Sequence, residues 1–169
     1  VAYSPKGAPK PEKNPVVVIS VATSNGAETQ FVAQNSNDKP VLQTFIEYVR
    51  EFDPDIIVGY GANSQDWPYL TARAKKLGIN MRVDRANTEP HTSVYGHVSI
   101  TGRAHVDFFD FSDELQEVKV KNLENVADFL GVKKVEEHTV IEDADIPVFW
   151  ENSQKRKKLL QFSKENTEL

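Results

Sequence analysis

Cysteine is missing altogether, which removes disulfides, thiolate zinc sites and cysteine nucleophiles in one step. No apolar run approaches the length needed to cross a bilayer, and no signal-peptide pattern is present. None of the eight glycines builds a phosphate-binding loop, a dinucleotide fingerprint or a nucleophile elbow. The four histidines, His91, His97, His105 and His138, show no paired helical spacing and read as surface or hydrogen-bonded residues rather than metal ligands. An excess of positive charge is also lacking: 20 Lys and Arg stand against 25 Asp and Glu, a net charge of −5. Phosphate contacts dominate nucleic-acid affinity, so a domain of this balance is expected to hold DNA weakly by itself.

What remains is an ordinary globular composition, 39% hydrophobic and 27% charged, in a chain long enough to bury the core of one domain. No membrane partner is expected, and the absence of cysteine is compatible with a cytoplasmic location. The chain starts at Val1 without a methionine and stops soon after a helix-like stretch. Residues 1–169 are therefore expected to be one domain from a larger protein.

Residues 1–15 carry four of the nine prolines and read as a loop. The β-branched run over 15–24 predicts a central strand, and Asn25-Gly26 predicts a hairpin to a partner strand near 29–33. Pro40 opens a helix in which Val41, Leu42, Phe45, Tyr48, Val49 and Phe52 share one face at helical period. Asp53-Pro54 stops it. The apolar run Ile56-Ile57-Val58 then reads as a buried strand. Gly59-Tyr60-Gly61 leads from it to Asp66 at the start of a helix over 68–77, closed by Gly78. A strand, a glycine-rich turn and a carboxylate at a helix start commonly present an acidic ligand at a sheet edge. The plain alternative is that Asp66 caps the helix.

Residues 92–109 predict a second hairpin turning near Thr101-Gly102, with Arg103, His105 and Asp107 on one face and Ala104, Val106 and Phe108 on the other. Asp107 is expected in a local ion pair. Helices are expected over 111–118, 122–130 and 152–167. This order suits an α/β layer fold.

The stretch Asp66-Trp67-Pro68-Tyr69-Leu70 closely resembles the second exonuclease motif of family B DNA polymerases, archaeal ones especially. Gly61 and Gln65 stand where that motif has Asn and Phe. Further stretches resemble the same domain in order along the chain: Tyr3–Gly7, Pro11–Pro15, Ile19–Thr23, Gly102–Asp107, Lys121–Ala127, Phe129–Gly131 and Gln154–Glu168. The resemblance implies a ribonuclease-H-like mixed sheet flanked by helices, with an inserted β-hairpin. It also implies two-metal phosphodiester hydrolysis with Mg2+ or Mn2+ held by carboxylates. The partners it implies are a single-stranded 3′ DNA end and the remaining domains of a parent polymerase. The polymerase's own catalytic motifs are not in this chain.

The departures fall on the implied ligands. The Glu of the first motif aligns with Val1, so that motif is either replaced or lies upstream. In the third motif Phe162 aligns with the family's Tyr and Asn166 with its Asp. Phe162 has no hydroxyl to orient a water, and Asn166 offers a neutral amide. Leu159, Phe162, Asn166 and Leu169 fall on one stripe, which places Asn166 on an inward face, while Glu165 is expected to point elsewhere. Asp66 is left as the remnant ligand, and the reading is an inactivated exonuclease domain kept as a structural or DNA-contacting module. The alternative is an active two-metal 3′–5′ exonuclease whose first motif precedes Val1. Trp67 and Tyr69 could stack on a base or belong to the core. Lys155 and Arg156, in the basic run over 155–158, could meet phosphate or form a solvated helix face.

Overall fold

The computed structural model describes residues 1–169, which divide into two compact units, Val1–Val41 with Glu117–Leu169, and Leu42–Gln116. The chain is α/β, with short sheets and six α-helices. No helix is long and apolar enough to cross a membrane.

In the first unit, β1 (Val18–Ala22) pairs antiparallel with β2 (Glu28–Val32), so that Val18 lies opposite Val32. The reversal at Asn25-Gly26 forms as its sequence predicts, with Gly26 at a positive φ of 83°. Lys39 opens α1 (Lys39–Phe52). Three further helices follow Glu117: α4 (Leu123–Phe129), α5 (Ile146–Glu151) and α6 (Ser153–Glu165). Asn122 and Asn152 cap α4 and α6 by accepting from backbone N–H groups of their first turns, which supplies partners for donors that a helix start leaves unpaired. α5 breaks from α6 only at Asn152. Its six residues, IPVFWE, carry no period long enough to stand out in the sequence.

The packing of α6 on β1 runs through a polar network. Ser163 and Ser20 hydroxyls lie 2.7 Å apart, and Gln30 Nε2 donates to Ser20 Oγ and to the Leu160 carbonyl. Leu159 is fully buried and Ser163 nearly so. The inward line of α6 is therefore Leu159–Ser163, one step in i, i+4. Phe162 and Asn166 lie beside that line, half-buried. Asn166 is the residue that ends the helix rather than the polar residue of its inward face.

In the second unit, α1 buries Leu42, Phe45 and Val49, as its period predicts, together with Ile46, while Tyr48 is half-buried and Phe52, expected on the same face, is 40% exposed. β3 (Ile56–Gly59) pairs parallel with β6 (Ala104–Asp107), with Gly59 opposite Asp107. Parallel strands are usually covered on both sides, and the run Ile56–Val58 reads as buried. Instead Ile56 and Val58, which share one face of the strand, are 60% and 55% exposed. Where one mixed sheet was expected, the strands form three two-stranded sheets.

The stretch 92–109 also differs from expectation. One antiparallel pair forms earlier, between β4 (His91–Thr92) and β5 (Val98–Ser99), turning over Ser93–Gly96. Thr101-Gly102 makes a second, tight turn, after which β6 runs alongside β3. The alternation along β6 is as predicted, but its polar face is the covered one. Arg103, His105 and Asp107 all find partners there, while Ala104 is exposed. α2 (Trp67–Lys76) and α3 (Phe108–Ser112) complete the unit.

Candidate functional site

β3 and β6 are parallel, so their carboxyl ends lie side by side, the place where α/β sheets commonly bind ligands. The chain leaving β3 turns over the end of β6 in two steps. Gly59 approaches Ala62 so closely that an added Cβ would sit 2.6 Å from Ala62 Cβ. Gly61 then adopts φ 74°, ψ 13°, a left-handed conformation that glycine takes freely and that asparagine tolerates better than other residues. The exchange of the motif's Asn for Gly61 thus suits the local backbone. A single π-helical turn, Ala62–Asp66, follows; such turns occur often at functional sites.

Asp107 holds this turn from below. It is 3% exposed. Its Oδ1 accepts from the Gly61 N–H at 2.7 Å and the Phe109 N–H at 3.0 Å, and its Oδ2 accepts from the Asn63 N–H at 2.7 Å. Three of the four lone-pair positions of the carboxylate are thereby taken. No ion pair with Arg103 forms. Arg103 instead donates to Asp53 and to the Val83 and Pro54 carbonyls, and with Arg85 it holds the Asp53 carboxyl below its usual range.

Asn63 joins the π-turn to β5. Its Oδ1 accepts from the Val98 N–H at 2.8 Å, and its Nδ2 donates to Asp110 Oδ2 at 2.9 Å. His105 donates from Nδ1 to the Val98 carbonyl and accepts at Nε2 from the Trp67 indole N–H. Since an indole only donates, these partners fix the neutral Nδ1–H tautomer. Trp67 is 5% exposed and lies against Phe45 and His105. That is the core alternative for this residue, with no ring face left open to a base. Tyr69 is half-buried.

Asp66 immediately precedes α2 as its N-cap residue, yet its side chain makes no capping hydrogen bond. The residue as a whole is exposed, yet neighbouring groups crowd its carboxyl. Loss of hydration raises its carboxyl above the ordinary range, and the charge of Asp107 adds to the effect. A cavity of about 360 Å³ opens beside this turn, lined by Asn63, Ser64, Tyr95, His97, Asp107, Phe109 and Asp110.

The other expected site residues lie in the first unit. Phe162 and Asn166 are at the end of α6. Glu165 accepts from the Thr139 N–H at 3.0 Å and from Gln161 Nε2 at 2.8 Å, and the Gln161 bond foremost holds its carboxyl below the usual range. Arg156 stacks over the Trp150 ring at 4.3 Å and donates to the Trp150 carbonyl. Lys155 is exposed, 5.8 Å from the Phe149 ring centroid.

Two divalent ions held close together need several carboxylates between them. Nowhere in the chain do three His, Asp or Glu side chains converge into a set able to hold a metal ion. Asp66 has a free carboxylate, but its acidic neighbour Asp107 is committed to three backbone amides. The residues present do not fit a metal pair.

Residues 25–126, more than half of the chain, match the model of a family described as DNA polymerase family B, exonuclease domain. The chain belongs to that family. It is 43% identical over 164 residues to "DNA polymerase 2" of Aeropyrum pernix. It is 39% identical over 155 residues to "DNA polymerase" of Archaeoglobus fulgidus. These matches take in 97% and 90% of the chain but 20% and 19% of those proteins, so the chain spans about a fifth of the length of the curated relatives it matches. The solved family B DNA polymerase of Pyrobaculum calidifontis superposes with a TM-score of 0.96 at 43% identity, over 99% of this chain and 22% of that one. The domain is thus the exonuclease domain of an archaeal family B polymerase.

Asp107, Asn63 and His105 are the site-building residues that motif reading passed over. The available signal was parity: Asp107 shares a strand face with Arg103 and His105, and three polar residues on one face of a short strand need partners if that face is covered.

Proposed function

We propose that this chain is a proofreading-type exonuclease domain of ribonuclease-H-like fold, with the β4–β5 pair as its inserted hairpin, in which phosphodiester hydrolysis has been lost. It serves its parent polymerase as a scaffold and as a weak contact for the single-stranded 3′ end of DNA. The observation that carries this reading is the state of the two strand-end carboxylates. Asp66 is free but has no second free acid beside it, and Asp107 is consumed in holding the turn. Phe162 and Asn166, aligned with a lost Tyr and a lost Asp, support it from the sequence. In the relatives' chemistry the divalent ions activate a water and stabilise the leaving oxygen; no residue set here holds them. What this chain's residues do is fix a π-turn at the end of two parallel strands, with Lys155 and Tyr69 as weak DNA contacts and the other polymerase domains supplying most of the grip.

The test is release of 3′ nucleotides from a labelled single strand with Mg2+ or Mn2+ present. No metal-dependent release above background is expected. Release that disappears in Asp66→Ala would overturn the reading. A second reading has one observation in its favour: crowding, and with it the charge of Asp107, makes Asp66 costly to ionise, a tension that a cation relieves. On that reading the domain is an active two-metal 3′–5′ exonuclease completed by a first motif preceding Val1, and Asp66→Ala in the longer polymerase abolishes proofreading.

A further inference from the structure

α3 is an amphipathic helix turned inside out. Its small polar residue, Ser112, is 1% exposed, whereas Phe108 and Phe111 are 54% and 57% exposed and lie together with ring centroids 6.1 Å apart. Burying a phenylalanine is worth about 1.5–3 kcal/mol, so two left open on one turn call for an explanation. The helix is not free to roll them inward. Asp107 accepts from the Phe109 N–H at its start. Phe109, itself 39% exposed, meets Tyr60 edge-on at 5.7 Å, and Ser112 lies on the covered side. The outward face is thus held in place by the contacts of the inward one.

The charges around that face select what covers it. From Ala104 to Val118 the sequence contains no Lys or Arg, and Asp113 and Glu114, which follow the two rings in the chain, are exposed; Asp110 is exposed as well but accepts from Asn63 Nδ2. Phosphates would be repelled here, so the aromatics do not make a platform for nucleic acid. A cationic group is favoured twice, by the carboxylates and by the negative faces of the rings.

We propose that the outward face of α3 docks a Lys/Arg-rich, apolar segment of a partner protein, laying apolar side chains on Phe108 and Phe111 and cations against Asp113 and Glu114. The surface is independent of whether Asp66 supports hydrolysis.

The test titrates the 169-residue chain with three fluorescent probes: a helical Arg/Leu peptide, the same peptide with Glu for Arg, and a single-stranded oligonucleotide. The cationic peptide binds and the other two do not. Phe108→Ser with Phe111→Ser weakens its binding at least about tenfold, the equivalent of about 1.4 kcal/mol. Asp113→Lys with Glu114→Lys, which leaves the rings in place, weakens it likewise. Raising salt from about 50 mM to about 500 mM screens the exposed charges and weakens it further. Thermal unfolding of both variants is expected to match that of the parent, because the altered groups are exposed. Cationic-peptide binding unchanged in both variants overturns the proposal. So does oligonucleotide binding that the serine variant abolishes, which assigns the face to nucleic acid. A concentration-dependent dimer lost in the same variant also overturns it, by assigning the face to a second copy of the chain.

Discussion

Asp66 and Asp107 both stand at the carboxyl end of the β3–β6 pair, one on the turn that leaves β3 and the other as the last residue of β6. They have been put to opposite uses. Asp107 is buried and accepts three backbone N–H groups, so its charge is balanced by fixed dipoles and its removal would strand three donors. Asp66 makes no capping bond, is an exposed residue and has its carboxyl pushed up by crowding and by Asp107. One carboxylate holds the fold together; the other is tolerated by it. On the function proposed above, Asp66 is a former ligand position, a residue whose ionisation costs stability on a turn shaped by two glycines.

That contrast predicts a graded set of effects. The largest is Asp107→Ala, which leaves the Gly61, Asn63 and Phe109 N–H groups without an acceptor in a buried place. It is expected to cost about 3–5 kcal/mol, read as a fall in the denaturant midpoint. A loss below about 1 kcal/mol would mean that the turn is held some other way. Next comes Gly59→Ala, whose new methyl would lie 2.6 Å from Ala62 Cβ. It should cost about 2 kcal/mol, whereas Gly61→Asn, at a backbone that asparagine tolerates, should cost about 0.5–1 kcal/mol. Equal losses at the two positions would remove the steric account of the turn.

The smallest effect has the opposite sign. The folded-state carboxyl of Asp66 is raised above its unfolded value, so the folded chain binds the proton more readily and ionisation lowers stability. Asp66→Asn should therefore be slightly more stable than the parent at neutral pH. The gap should close as pH falls below the ordinary carboxylate range. Solvent around this exposed residue screens the effect to below about 1 kcal/mol. A variant less stable than the parent at neutral pH would show that Asp66 contributes to the fold after all.

Much of the scaffold was legible because it obeys simple periods. The β1–β2 hairpin turns at Asn25-Gly26, and α1 buries most of the face that its spacing marks. What escaped were choices between faces. Alternation along β6 says that Arg103, His105 and Asp107 share a side, but not that this side is covered, since burial of polar groups depends on partners from elsewhere in the chain: Asp53, Trp67, Gly61 and Asn63. On α6 the stripe through Phe162 and Asn166 and the line through Leu159 and Ser163 are neighbouring rows of one helix. The Ser163–Ser20 contact, invisible in sequence, decides between them. β3 reads as buried because it is apolar, yet Ile56 and Val58 share a face that stays open. For the candidate site, motif spacing found Asp66, while the residues that shape its surroundings had no motif to mark them.

The most direct test of the account is isothermal titration of Mg2+ and Mn2+ into the chain, with Asp66→Ala as the control. The account predicts no binding heat in the sub-millimolar range for either protein, because Asp107 is committed to three backbone N–H groups and Asp110 accepts from Asn63, which leaves Asp66 without a second uncommitted acid. Sub-millimolar binding that vanishes in Asp66→Ala would contradict it and show that a working metal site survives at the end of β3.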